Sequence, residues 1–580
     1  MASHRAGLLR LGEYITAPRT QLAVLFTAAG LTAAAQAGGW LLVKDAVDNG
    51  MRAGDEQRLW IDVSIYVAIN AVSWALGSYV VRGLAAVGQG IVLELRRHLF
   101  GHLTTLSLRY FSQTKAGWII ARLTSDIDAL SDVLSEGLKT LIANSLTFVV
   151  AIAALFAVDW RLALVALVVM PPALLFSRWF QVRSSVAFGE VRNRIAAVTA
   201  QMAESLAGMA VIQAFNREDQ FRQSFKELNE QNQKASVHAQ TIWAVFFPAI
   251  EWLGVLATGA VLWVGTDLVH DGSATLGTVI AFIGLLGLLF QPLQELSELY
   301  GQVQSAAAAM VKIAGILDTE TDIASKPGAE PIPRIEGRID LDAVTFAYGA
   351  EPVLHALDVH VPAGGCLALV GESGGGKSTT AKLIARFYDP ASGVVRVDGH
   401  DLRDVDLTSY RRQLGVVLQD PFLFSGTIAD NIRFARPDAT DAQVEEVARA
   451  IGVDEVAARL DGGLQHVVRE GGSGLSAGER QLISIARALL ADPRILILDE
   501  ATSNIDRPTE RLIEGALDRL LRGRTSLIVA HRLSTVRRAN EILVLDHGRV
   551  VERGTYDRLM ATEGPFRRLA AELTGTVPGQ

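Results

Sequence analysis

From about residue 22 to residue 309, long apolar runs alternate with polar stretches of helical periodicity. Six runs hold roughly 20 apolar residues, the length that crosses about 30 Å of hydrocarbon. They predict spans at 21–43, 61–82, 138–157, 162–180, 243–267 and 276–296. Pro171 and Pro172 fall inside the fourth, a break that spanning helices tolerate when neighbours satisfy the freed carbonyls. The connectors after the second and fourth runs are long and keep a helical period. They are expected to prolong the flanking helices and to turn near 112–117 and 215–220. The first run is too long for the core of a signal peptide, and no small-residue cleavage site follows it, so it reads as a span that stays.

Past residue 336 the pattern changes. Short apolar strands alternate with helical stretches, the pattern of a soluble α/β domain. Between the two halves, residues 318–335 carry Pro327, Pro331 and Pro333 among charges, the composition of a linker. The reading is a transmembrane domain over 1–317, a linker over 318–335 and a nucleotide-binding domain over 336–575. In fold class this is an all-α six-helix transmembrane domain followed by an α/β P-loop ATPase domain.

Charge orients the spans. The second connector carries Arg96, Arg97, Arg109, Lys115 and Arg122, and the fourth carries Arg183, Arg192, Arg194, Arg217, Arg222, Lys226 and Lys234. The third has only Arg161 and the fifth has no Lys or Arg. The positive-inside rule then puts both long connectors and both termini in the cytoplasm. Lys44, Arg52 and Arg58 in the first connector run against that count without reversing it. A net charge of −8 argues against a nucleic-acid partner. The single cysteine, Cys366, excludes an internal disulfide, a cysteine zinc cluster and an iron–sulfur site. Arginine far outnumbers lysine, a bias of GC-rich genomes that points to a bacterial plasma (inner) membrane.

The chemistry lies in the second half. Gly371-Glu372-Ser373-Gly374-Gly375-Gly376-Lys377-Ser378-Thr379 is a P-loop, preceded by an apolar strand and followed by a helical pattern. Its glycines let backbone N–H groups close around phosphates, Lys377 reaches the β/γ-phosphates of ATP, and the Ser378 hydroxyl suits Mg2+. The apolar run 495–498 ends in Asp499-Glu500, an acidic pair at the carboxyl end of a buried strand. Asp499 is placed to hold the Mg2+ shell, and Glu500 to act as general base or to orient the attacking water.

Between these motifs stands Gly474-Leu475-Ser476-Ala477-Gly478-Glu479-Arg480-Gln481. Here the chain resembles the ABC transporters, whose signature loop has this form. Ala477 and Glu479 depart from the commoner LSGGQ pattern, while Ser476 and Gly478 keep its phosphate-contacting positions. The departures bear on ATPase rate and partner identity. In that family the loop completes the P-loop site of a second copy or a second half-transporter, so the resemblance implies a dimer with two shared sites. It also implies that Tyr348 stacks on adenine and that Gln419 links Mg2+ and water to the membrane half. Asp506 would cross the dimer interface, His531 would contact the γ-phosphate and Glu500, and Glu470 would touch the cytoplasmic helices.

Six spans followed by one ATPase is the layout of exporter-type half-transporters. The implied activity is ATP-driven transport by alternating access, with an amphipathic or lipophilic compound as substrate. The alternatives are an importer on the same fold and an ATP-gated channel or regulator. Intact Glu500 and His531 favour turnover over gating. Glu251 within the fifth span, with Glu295 and Glu298 at the end of the sixth, are candidates for binding a cationic group or gating the path. Trp243, Phe246, Phe247, Trp252 and Phe290 are candidates to line an apolar cavity.

Overall fold

Among the described residues of the computed structural model, six helical stretches are long and apolar enough to cross a membrane: Arg19–Met51, Glu56–Thr105, Ala116–Val158, Trp160–Ala207, Glu218–His270 and Leu276–Leu317. Each contains one of the expected apolar runs. The structure describes residues 11–14, 17–499, 507–530 and 532–574. The chain divides into two units, Met1–Thr105 with Thr114–Thr319, and Leu106–Gln113 with Glu320–Gln580.

The fourth stretch is two helices, Trp160–Leu167 and Met170–Ala207. Asp159 caps the first by accepting from Arg161 N–H (2.8 Å) and Leu162 N–H (3.2 Å). Pro171 and Pro172 sit in the first turn of the second, where a missing N–H loses no helical bond. Pro248 and Pro292, by contrast, lie inside the helices Glu218–His270 and Leu276–Leu317. Each removes one rung of the hydrogen-bond ladder.

The first polar tip differs from expectation, and the second turns within the expected 215–220. The first is a short helix, Leu108–Gln113, bracketed by two turns. Ser107 C=O accepts from Tyr110 N–H (3.1 Å) to start it, and Lys115 C=O accepts from Trp118 N–H (2.9 Å) to start the next helix. The tip therefore begins about four residues before the expected 112–117. At the fourth connector Gly208 ends one helix, Met209–Ala214 forms a single short one, and Asn216, with φ of 50°, turns the chain into Glu218–His270.

Aromatic rings organise part of the membrane unit's core. Phe180 stacks on Phe246 with centroids 3.9 Å apart, Phe246 lies edge-on to Phe247, and Trp243 lies against Phe247 at 4.9 Å. Trp243 and Phe246 are thus committed to packing, and Trp252 is 64% exposed.

The ATPase unit is built on a six-stranded sheet in the order Arg549–Gly554, Glu541–Asp546, Cys366–Val370, Thr525–Val529, Ile495–Asp499, Leu414–Val417. Its inner strands pair in parallel, and Arg549–Gly554 is an antiparallel edge. Runs such as Ile495-Leu496-Ile497-Leu498 are buried on both faces, which is why they read as continuous apolar stretches. A smaller antiparallel sheet joins Pro352–Val361, Ile339–Ala347, Ser392–Val397 and His400–Asp401. The proline-bearing stretch before it is anchored: Ile332 and Ile335 are buried, and their N–H groups donate to Ser409 Oγ and Gln413 Oε1 (both 2.9 Å). Cys366 is packed against the core, and burial pushes its thiol up to about 11, which leaves it unreactive.

Candidate nucleotide site

The P-loop leaves the carboxyl end of Cys366–Val370 and runs into the helix Lys377–Ile384. Two of its glycines are required by geometry. At Gly371 (φ 146°) a Cβ would stand 2.0 Å from the Leu545 carbonyl oxygen, and at Gly376 (φ 97°) it would stand 2.5 Å from Leu354 Cδ2. Gly376 starts the helix in a left-handed conformation without a side-chain cap, so the first N–H groups stay open at the positive end of the helix dipole.

Lys377 is 5% exposed, and its Nζ donates to the carbonyls of Gly371 and Glu372 (both 2.8 Å). Burial holds its ammonium below the usual lysine range, and the Asp499 carboxylate works against that shift. Strand register explains the proximity. Val529 pairs with both Leu369 and Asp499, so Asp499 ends one strand away from the start of the P-loop. Asp499 Oδ1 is buried and without a hydrogen-bond partner among the described residues. A buried, unpaired carboxylate oxygen beside a cationic phosphate-type cradle fits a divalent cation shared with a polyphosphate. On the same observations the residues present suit Mg2+ and ATP.

Tyr348 follows the strand Ile339–Ala347. Its hydroxyl lies 3.2 Å from Thr379 Oγ1, its ring meets Phe346 and Tyr388 edge-on, and Lys382 Nζ lies 5.8 Å from its centroid. It is therefore held against the P-loop helix. Gln419 lies two residues past Leu414–Val417, exposed at the same sheet edge as Asp499. Glu470 is exposed in a short turn, Glu470–Gly472. Glu500, Asp506 and His531 lie outside the described residues.

The signature loop opens the helix Ala477–Leu490. Ser476 Oγ accepts from Glu479 N–H (3.2 Å), and the Glu479 carboxylate accepts from Ser476 N–H (2.8 Å). This reciprocal cap explains the glutamate at that position and satisfies two end groups of the helix. Gly478 lies buried in the first turn.

Sequence reasoning passed over the residues that fasten this helix. Arg480 Nη1 donates to the Leu475 carbonyl (2.6 Å) and so fixes the loop. Arg487 donates to the Asn431 carbonyl (2.9 Å), to Asn431 Oδ1 (3.0 Å) and to the Phe422 carbonyl (3.1 Å). It ties the helix to the segment that follows Gln419. Burial lowers the Arg487 pKa without neutralising it. Nothing in the spacing of Arg487 along its helix separates it from a solvated arginine.

In the same unit, Arg109 of the helix Leu108–Gln113 pairs with Asp322 (3.4 Å) and lies 5.9 Å from the Tyr388 centroid. Tyr388 in turn meets Tyr348 at 5.2 Å.

Comparison with known proteins agrees with this geometry. The family model described as "ABC transporter transmembrane region" matches residues 22–293, and the one described as "ABC transporter" matches residues 354–503. The "Uncharacterized ABC transporter ATP-binding protein YknV" of Bacillus subtilis is 38% identical over 514 residues, covering 88% of this chain and 84% of that protein. The "ATP-dependent lipid A-core flippase" of Syntrophus aciditrophicus is 35% identical over 530 residues, covering 91% and 88%. A "Multidrug efflux ATP-binding/permease protein" of Mycobacterium bovis is 37% identical over 538 residues, covering 92% of this chain and 45% of that longer protein.

Proposed function

The chain belongs to the ABC transporter family, as a multi-pass membrane ATPase of the exporter type that couples hydrolysis to transport, and from that premise we propose that it is one half of a dimer exporting an amphipathic or lipophilic compound. Relatives named as a lipid flippase and a multidrug efflux protein support a substrate of that kind. The proposed setting is the bacterial plasma membrane with both termini in the cytoplasm.

In this reading the open helix end at Gly376 and the Lys377 ammonium grip the β- and γ-phosphates of ATP. Ser378, Asp499 and Gln419 would hold Mg2+, which when bound offsets the phosphate charge. Glu500 takes the proton of the attacking water or orients it, and His531 contacts the γ-phosphate side. Tyr348 supports the adenine. Ser476 and Gly478 donate to the γ-phosphate held by the partner copy, with Asp506 crossing the interface. ATP thus joins two copies, and hydrolysis releases them, driving alternating access in the membrane half.

The observation that carries this reading is the Asp499 oxygen, unpartnered among the described residues, beside the buried Lys377 at the mouth of the P-loop. Glu500→Gln in proteoliposomes should retain ATP while hydrolysis is lost; unchanged hydrolysis would remove Glu500 as the base. ATP-dependent accumulation of a lipophilic fluorescent dye in inside-out vesicles should accompany wild-type turnover, and ATP-driven loss of dye from them would reverse the direction.

A further inference from the structure

Three carboxylates in the last two spans compete for the role of substrate contact, and their surroundings separate them. Glu295 is already engaged: Asn144 Nδ2 donates to one of its oxygens (2.7 Å) and Gln291 Nε2 to the other (3.0 Å). A carboxylate held by two side-chain amides, one from a neighbouring helix and one from its own, is accounted for by packing. Glu298 lies beyond the apolar run, exposed on the polar continuation of its helix. Glu251 differs from both. It sits eight residues inside the apolar run that begins at Trp243, about 12 Å along the helix axis. Its short side chain cannot reach back to an interface as a lysine or arginine can. Among the described residues it has no hydrogen bond or ion pair.

What Glu251 does have is a cavity of about 550 Å3 between the helices Glu218–His270 and Leu276–Leu317. Phe247 and Phe290 supply aromatic surface to its lining, and Gln291 and Gln294 supply amides on the facing helix. Thr258, further along, spends its hydroxyl on the Gly254 carbonyl (2.9 Å) and offers no counter-charge. Pro248 lies one turn from Glu251, and Pro292 lies next to Gln291, so a helical rung is missing on both walls at this level. The lining therefore combines one full negative charge, side-chain amides, ring faces and no basic side chain. Ring faces and carboxylates both attract cations. A carboxylate kept at this depth in apolar surroundings calls for a positive partner.

We propose that this cavity is a binding site for an amphiphile carrying one positive charge, with Glu251 as its counter-ion and Phe247 and Phe290 against its apolar body. The proposal rests on the reading of the chain as a transporter of amphipathic compounds, and it names the charge of that compound. The cavity is of a size for a drug-sized ligand.

The test uses two ions of nearly equal size and opposite charge, tetraphenylphosphonium and tetraphenylborate. Equilibrium binding is measured on the full-length, detergent-purified protein without nucleotide. Wild-type protein should bind the cation saturably and at least about tenfold more tightly than the anion. Glu251→Gln should weaken cation binding about tenfold, whereas Glu251→Asp and Glu295→Gln should stay within about threefold. Equal binding of the two ions by wild type, absence of saturable cation binding, or unchanged binding in Glu251→Gln would each overturn the proposal. The comparison of the two ions needs no variant, so a Glu251→Gln protein that fails to fold does not shelter it. Nucleotide plays no part in this measurement. Loss of ATP-driven transport with cation binding intact would therefore remove the transport reading and leave the site.

Discussion

The helix Lys377–Ile384 starts at a left-handed glycine with no side chain over its end, whereas the helix Ala477–Leu490 starts at Ser476, whose hydroxyl and backbone are tied to Glu479. Both ends carry the positive pole of a helix dipole. The first leaves its N–H groups free and adds a buried ammonium. The second has already used a hydroxyl acceptor and a backbone N–H in its own cap and brings an acidic side chain into its first turn. An anion therefore finds its main grip at the first end. The second can only add to a grip made elsewhere, as expected for the half of a site that completes a neighbour's.

The largest effect should come from disarming the open end. Lys377→Ala removes the one cation there, and nucleotide affinity should fall roughly a hundredfold, about 3 kcal/mol for a buried charged contact. Titration with a fluorescent ATP analogue would read this, and equal affinity would mean the two ends are not so different. Gly371→Ala comes next. Its methyl would meet the Leu545 carbonyl, so the ATPase unit should lose about 1–3 kcal/mol of stability, seen as earlier thermal unfolding. Ser476→Ala removes the cap of the other end, at about 1 kcal/mol of helix stability, and should leave affinity for the first nucleotide intact. Lowered affinity in that variant would erase the contrast.

Glu479→Gln keeps an acceptor for Ser476 N–H but deletes the charge. It should tighten ATP-dependent pairing of Glu500→Gln protein by a few tenths of a kcal/mol, measurable by sedimentation at low salt. The smallest effect is on pH. Burial lowers the Lys377 pKa in the free site, and a bound phosphate should raise it again. Binding then takes up a proton between those two values, so affinity should decline as pH rises through the lowered one. Lys377→Arg should flatten that decline.

Much of the nucleotide site was readable in the chain because each residue of its motifs has a single chemical task. Lys377 must be a cation, Asp499 must end a buried strand, and Gly371 must lack a side chain. The spans were readable for a different reason: crossing hydrocarbon demands length and apolarity and little else. That same looseness hides their packing. In a near-continuous apolar run nothing marks which face turns inward, so the sequence could not tell that Phe246 stacks on Phe180 while Phe290 borders a cavity. It singled out Glu251 by its depth in the fifth span, but it could not show that Glu295 is engaged, because that partner is Asn144, 151 positions away in the chain. The tip of the second connector was misplaced because Ser107, with neither glycine nor proline beside it, gives no sign of a turn. Glu500, Asp506 and His531 stay expectations from the motif alone.

The short helix Leu108–Gln113 belongs to the same unit as residues 320–580, through Arg109 and its neighbours Asp322 and Tyr388. One folded body is thus spelled by two stretches of chain more than two hundred residues apart. A gene fragment beginning at residue 320 would encode an ATPase without Arg109, the cation that lies over Tyr388 beside Tyr348. Supplying residues 106–113 as a free peptide should restore the Arg109 contacts with Asp322 and Tyr388, making the dissected protein a simple instrument for weighing what the connector contributes to the catalytic body.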